Sequence, residues 1–240
     1  MIKFIKKILK YTFRRFNWRF EKLYQRSDYN LETPNFKLLE CLSKSKGVFH
    51  LGAHRGEEAP IYEWFGKKVI WVEANPVIFD ELNDNLVKYK YQKAYKALIY
   101  NKDHDEIDFY LSSNDYASSS IFKFGDLSVG KNSLWSKKSL EHKFKLRLKT
   151  ITIDTLIKLN LLDISAYNHW VIDLQGAELL ALQGAEQALK TCNSIYIEVS
   201  NGDVYQKGAQ WEEVKNFLKK NNFFPNWDLD GAHSNVLFTK

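Results

Sequence analysis

Three groups of residues have the types and spacing of a ligand site. In VFHLGAHRGEE (Val48 to Glu58) a hydrophobic run stops at Gly52 and a second glycine, Gly56, follows four positions later. Glycines placed so let the backbone approach a ligand and turn into a helix without a Cβ clash. Glu73 follows, closing VIWVE 21 residues after Gly52. A carboxylate at that point of an open parallel sheet can accept both hydroxyls of a ribose. The third group is acidic: Asp173 closes HWVI, Glu178 opens the next helix, and Glu198 ends IYIE. Such carboxylates can hold a cationic ligand, take the proton of a hydroxyl or ligate a metal; the residues leave the metal question open.

The glycine spacing is neither GxGxxG nor GxxxxGK[ST], which speaks against dinucleotides and nucleoside triphosphates. A ribose without a pyrophosphate remains, and S-adenosylmethionine is the common ligand of that kind. The residues expected around it are His50, Gly52, Ala53, His54 and Gly56 of the first loop, Glu73, Ala74 and Asn75 after the second strand, Ala97, and Asp173. Asp173, Glu178 and His233 are the candidates for the chemistry, His233 as a base reaching from a final hairpin. Asn114, Ser118, Ser119 and Ser120 offer short hydrogen-bonding side chains to a polar acceptor, and Tyr116 and Trp135 offer rings on which an acceptor could stack.

The elements that must position these residues alternate in type. Short β-rich runs occur at 48–51, 69–72, 96–100, 106–111, 144–153, 169–174, 194–200 and 235–239. Helical patterns lie between several of them: GEEAPIYEWFG, NPVIFDELNDNLVKY with Asn75 as N-cap and Pro76 in the first turn, GAELLALQGAEQALK, and WEEVKNFLKKN. This order predicts an α/β fold, a mostly parallel sheet with helices on both faces.

The 240 residues are enough for one well-buried core. The expected organisation is a basic amphipathic helix at 1–26, a linker and lead-in helix at 27–46, and one domain at 47–240. Of the formal charge of +6, residues 1–22 carry +7, so the remainder carries −1. A neutral body argues against tracking nucleic-acid phosphates. In the basic segment Ile2, Ile5, Leu9, Phe13, Phe16 and Phe20 share one helix face beside a lysine flank. That pattern serves equally a helix packed on the domain and a peripheral anchor on an anionic membrane surface. Cys41 and Cys192 have no disulfide or zinc-ligand spacing, and no window reaches the roughly 20 apolar residues of a membrane span. The expectation is a cytoplasmic protein; oligomeric state stays open.

VFHLGAHRGEE, VIWVEANPVIFDELNDNL, KALIY, NDYASSS, ITIDTLI, VIDLQGAELLALQGAEQAL and IYIEVS, in that order, resemble the FkbM-type methyltransferases from about Gly47 to Phe238. The most specific piece, DLQGAELLALQGA, is similar to the family's Asp-x-Glu-Gly-Ala-Glu block. The resemblance implies a Rossmann-like class I methyltransferase fold, a seven-stranded sheet with a reversed final hairpin. It also implies methylation of an oxygen from S-adenosylmethionine, typically on a sugar or secondary metabolite, as in glycan or glycolipid assembly. Two departures stand out: His50 where the family often has Asp, and Gln175 where many members have Glu. They keep a non-catalytic scaffold as one alternative; an RNA methyltransferase is another.

Overall fold

The structure is a computed structural model that describes residues 34–130, 133–134 and 140–240. The expected basic helix at 1–26 and Trp135 lie outside these residues. The chain divides into two units, Met1–Glu40 and Cys41–Lys240, and both sheets belong to the second. A helix, α1 (Pro34–Lys44), spans the boundary in the chain, so Pro34 and Asn35, read above as linker, are already helical.

Seven strands form the main sheet in the order β3-β2-β1-β7-β8-β10-β9. They are β1 (Gly47–Leu51), β2 (Lys68–Glu73), β3 (Gln92–Lys96), β7 (His169–Ile172), β8 (Ser194–Ser200), β9 (Phe224–Pro225) and β10 (His233–Thr239). β10 runs antiparallel to both β8 and β9, while β3, β2, β1, β7 and β8 are mutually parallel. The expected mostly parallel sheet with a reversed final strand is therefore present. Order reverses at β1, which pairs with β2 on one side and β7 on the other, so a crevice opens beyond their carboxyl ends. A second sheet, β4-β6-β5, is built from β4 (Leu98–Ile99), β5 (Glu106–Ser112) and β6 (His142–Ile151).

The two-residue period of the strands divides the core. Phe49 and Leu51 of β1, Ile70 and Val72 of β2, and Trp170 and Ile172 of β7 point to one face. There they meet α4 (Ile153–Leu159), α5 (Glu178–Gln183) and α6 (Trp211–Lys220). Val48, Val69 and Trp71 point to the other face, against Tyr62 of α2 (Ala59–Trp64) and Leu82 and Leu86 of α3 (Pro76–Leu86). Burial on both faces explains why these strands read as continuous hydrophobic runs.

Four sequence readings need correction. KALIY is two strands: the Ala97 N–H donates to the Glu73 carbonyl, and Leu98 and Ile99 then pair with β6 of the second sheet. FKLRLKTITI stops as a strand at Ile151, because Thr152 caps α4 with its side chain on the Thr155 N–H, which makes Ile153 helical. The long helix expected in GAELLALQGAEQALK breaks after Gln183, since Gly184 packs where a Cβ would lie 2.5 Å from the Tyr100 carbonyl oxygen. The remainder is a short 3-10 helix, Ala188–Thr191, whose start is held by the Asp154 carboxylate on the N–H groups of Gln187 and Ala188. Finally, β9 joins the sheet edge from a segment with no strand signal, and β10 begins at His233, earlier than Asn235.

Gly52 joins the fold to the crevice. Its φ is +80°, and a Cβ there would lie 1.7 Å from the carbonyl oxygen of Asp173 at the end of β7. Neither the backbone conformation nor the space admits a side chain. Gly52→Ala is expected to lower unfolding stability by at least about 3 kcal/mol in urea titrations; a loss within measurement error would show that β1 and β7 can separate there cheaply.

Candidate active site

The first loop is pinned at three points. The Gly52 and Ala53 N–H groups both lie 3.0 Å from the Val72 carbonyl oxygen, and the Asp173 N–H donates to Leu51. His54 then takes a positive φ of 45°, which turns its N–H onto Glu73 Oε2 at 2.9 Å. The Asn75 N–H donates to the other oxygen, Oε1, at 2.8 Å. Burial pushes the Glu73 carboxyl up from its ordinary range, and these backbone donors oppose that rise. A carboxylate has about four acceptor positions, so each Glu73 oxygen keeps capacity for a ligand hydroxyl.

Glu73 stands in the wall of a cleft of about 930 Å³, counting its open mouth. Gly52, Ala53 and Ala74 line it close to the backbone; Leu98, Ile99, Phe109 and Ile121 give it an apolar side, and Asp173 and Gln175 stand at the wall formed by β7. A flat heterocycle with a ribose suits the apolar side and Glu73, and a cationic or polar end suits Asp173. Tyr116, Ala117 and Ser119 border the cleft from the loop after β5. That loop is tied to the first loop: His54 Nε2 meets the Asp115 carbonyl at 3.0 Å, and Arg55 pairs with the Asp115 carboxylate at 2.8 Å and with Glu81. Burial alone would lower the His54 pKa, but hydrogen bonds to Glu57 and to Asp115 outweigh it and raise it.

A polar chain continues from Asp173. The Gln175 amide nitrogen donates to Asp173 Oδ1 and, at 2.8 Å, to Glu198 Oε2, while its oxygen accepts from the Tyr205 hydroxyl. Glu198 Oε1 lies 3.1 Å from His233 Nε2, and His233 Nδ1 lies 2.8 Å from the Ser200 hydroxyl. Burial and the neighbouring Glu198 charge hold the Asp173 carboxyl well above the usual range. Burial would lower the His233 pKa; Glu198 more than compensates and raises it. Carboxylate oxygens of Asp173, Glu178 and Glu198 come within 4.8 Å of one another, a spacing that could admit a cation. The Gln175 amide, however, already donates to two of the three.

The structure brings some expected residues to the cleft and not others. His50, Gly52, Ala53, His54, Glu73, Ala74, Ala97, Ser119 and Asp173 border it. His50 does so edgeways: the strand period aims its ring at the opposite face, where it stacks on Trp71 at 4.6 Å and meets the Tyr62 hydroxyl at 3.1 Å. Burial there lowers its pKa to about 3, so it is neutral. Gly56, Asn75, Asn114, Ser118, Ser120, Glu178 and His233 are set back from the wall. Gly56 packs near Leu82, and Asn75 caps α3 through Val77. Asn114 bonds Ser118, and Ser120 bonds the Gln175 carbonyl, so these side chains shape the loop. Glu178 Oε1 accepts the N–H groups of Leu174 and Gly176, which makes it the organiser of the turn after β7. His233 has partners at both ring nitrogens, so it reaches the site through Glu198. Sequence reasoning passed over Tyr205 and over Glu58, which lines the cleft and is pushed up to about 7 by burial; the second Glu of the RGEE motif was the available signal for Glu58.

A family model, the methyltransferase FkbM domain, matches residues 50–225. The chain belongs to the FkbM methyltransferase family. As an FkbM protein it is an S-adenosylmethionine-dependent methyltransferase, and the match covers the first loop, Glu73, Asp173 and Glu198. Among solved structures, it is similar to an S-adenosylmethionine-dependent methyltransferase from Aquifex aeolicus at 12% identity, covering 92% of this chain and 96% of that one, TM-score 0.46. A putative RNA methyltransferase from Pyrococcus horikoshii aligns at 13% identity over 89% of each chain, TM-score 0.40. Magnesium protoporphyrin IX methyltransferase from Synechocystis PCC 6803 with bound SAM aligns at 7% identity over 86% of this chain and 75% of that one, TM-score 0.44. No curated protein matches significantly.

The position of Glu178 has a pH consequence. Burial raises its carboxyl from 4.5 to about 7, against the backbone donors. A raised acid contributes stability that is present below its unfolded value and lost as pH rises through its folded value. Glu178→Gln keeps an oxygen for the Leu174 and Gly176 N–H groups and has nothing to ionise. Its stability is expected to improve relative to wild type between pH 4.5 and about 7 in thermal melts; a pH-independent difference would contradict the burial of an ionisable group.

Proposed function

We propose that the protein transfers the methyl group of S-adenosylmethionine to a hydroxyl oxygen of a sugar, in a glycan, a glycolipid or a related metabolite. The observation that carries this reading is that Glu73 and Asp173 border one cleft at the sheet's switch point, where one would take a ribose and the other a proton. The donor's fit rests on two features of the chain. Glu73 retains acceptor capacity on both oxygens, and Gly52 holds the backbone where no Cβ could stand. Glu73 would hold the ribose, Gly52 and Ala53 would lie along the methionine portion, and Ala97, Leu98 and Phe109 would flank the base. The donor supplies the electrophilic methyl.

The remaining work belongs to the chain. A sugar hydroxyl is a weak nucleophile until its proton is drawn away. Asp173 borders the cleft and, in its ionised form, can take that proton; burial and Glu198 raise its carboxyl above the usual range, which strengthens it as a base. Gln175 orients the Asp173 and Glu198 carboxylates, Tyr205 fixes the Gln175 amide, and His233 balances the Glu198 charge. The acids of the cleft and the Ser119 hydroxyl at its border suit a neutral polyol, while the −1 charge outside residues 1–22 disfavours a polyanion such as RNA.

The test is transfer of labelled methyl from S-adenosylmethionine to a panel of monosaccharides, nucleotide sugars and oligosaccharides. Wild type is expected to label a hydroxyl, with an acid limb in its pH profile above the ordinary carboxylate range. Asp173→Asn should reduce kcat by about 10²–10⁴-fold and abolish that limb. Donor binding with no labelling across the panel would reject a sugar acceptor, and an unaltered pH profile in Asp173→Asn would reject Asp173 as the base.

A further inference from the structure

The edge of the main sheet opposite the cleft has a character of its own. Connections that enter the parallel strands, together with the carboxyl ends of the preceding helices, lie at the amino edge; the cleft is built from the loops that leave them. Six of the nine large hydrophobic side chains exposed among the described residues belong to this amino edge: Trp64, Val87, Tyr91, Leu159, Leu161 and Phe224. Leu161 is 92% exposed, Val87 85% and Trp64 80%, values that no packing role within the unit explains. The Val69 N–H donates to the Tyr91 carbonyl, so the turn carrying Val87 and Tyr91 lies beside the one carrying Trp64 and Lys68.

Exposed lysines are interspersed with these side chains: Lys68, Lys88, Lys90, Lys158, Lys219 and Lys220. The lysine ion pairs of the described residues are made elsewhere, by Lys102, Lys145 and Lys215. Lys88 and Lys90 instead lie over the rings of Tyr89 and Tyr91, at 5.2 and 5.4 Å. The acids on the same connections, Glu63, Asp84, Asp163 and Glu186, are fewer than the lysines. A tryptophan, a tyrosine and leucines standing out between lysines that make no ion pair among the described residues have the composition of a surface that enters a bilayer interface while its ammonium groups meet anionic headgroups. The chain also enters β1 at this edge, through residues 41–46, downstream of the basic residues 1–22.

We propose that the amino edge of the sheet is a docking face for an anionic membrane surface, with Trp64, Tyr91 and Leu161 entering the interface and Lys68, Lys88 and Lys90 meeting the headgroups. The cleft then opens away from the bilayer, so its acceptor arrives from the aqueous side or on a chain long enough to reach there. This proposal is independent of the methyl-transfer reading.

The experiment is cosedimentation of the full chain with phosphatidylcholine vesicles, with and without phosphatidylglycerol. Two variants accompany it, Trp64→Ser/Leu161→Ser and Lys88→Glu/Lys90→Glu, with folding checked by circular dichroism melts and the cleft by S-adenosylhomocysteine binding. Wild type is expected to bind the phosphatidylglycerol vesicles, and each variant to bind them at least about tenfold more weakly with the cleft unaffected. Failure of wild type to bind, or variants that bind as wild type does, would overturn the proposal. So would a wild-type dimer that the variants convert to monomer without changing vesicle binding, which would assign the face to a second copy of the chain.

Discussion

The approach of Gly52 to the Asp173 carbonyl, at the seam where β1 meets β7, is the contact on which the rest of the site depends. Parallel pairing sets both strand ends level, and the missing Cβ lets the first loop turn flat against β7. Because the loop is flat there, its N–H groups reach the Val72 carbonyl and its next residue reaches Glu73. The cleft is what remains between that loop, the end of β2 and the end of β7. A bulkier residue at position 52 would push β7 away and separate Glu73 from Asp173.

The second constraint is electrostatic. Glu58, Glu73, Asp173, Glu178 and Glu198 gather in and behind one cleft with few cations among them, and burying carboxylates is costly unless they are hydrogen-bonded. Four of these acids are answered in three ways. Glu73 and Glu178 take backbone N–H groups from turns they thereby hold in shape. Glu198 takes a side-chain amide and a histidine. Asp173 takes the Gln175 amide, while burial and the neighbouring Glu198 charge raise its carboxyl above the usual range; unlike Glu178, it stands at the cleft wall, where a substrate proton can reach it.

Much of this was legible in the sequence because it is carried by periodicity and by residues with one structural use. The alternation of buried strands and amphipathic helices showed the sheet, and Asn75 with Pro76 marked the start of α3. Gly52, Glu73 and Asp173 could be picked out since each closes a hydrophobic run. What was not legible depends on contacts between distant segments. Ala97 changes sheets through a hydrogen bond to Glu73, and Gly184 breaks a helix because Tyr100 lies beside it. His50 read as a ligand residue and does border the cleft, but the strand period turns its ring to Trp71 on the other face. Asn114, Ser118 and Ser120 read as a polar patch, but Asn114 bonds Ser118 within the loop and Ser120 donates to the Gln175 carbonyl in the turn after β7. Tyr205, 30 residues from its partner Gln175, had no local signal.

The central claim is that the donor occupies the cleft between Glu73 and Asp173, with its ribose on Glu73. Calorimetric titration of S-adenosylhomocysteine into wild type and Glu73→Ala tests it most directly. The account predicts saturable one-to-one binding by wild type and an affinity at least about tenfold lower in the variant, the cost of losing a charged acceptor for the ribose hydroxyls. Equal affinity in the two proteins, or no binding by folded wild type, would contradict it.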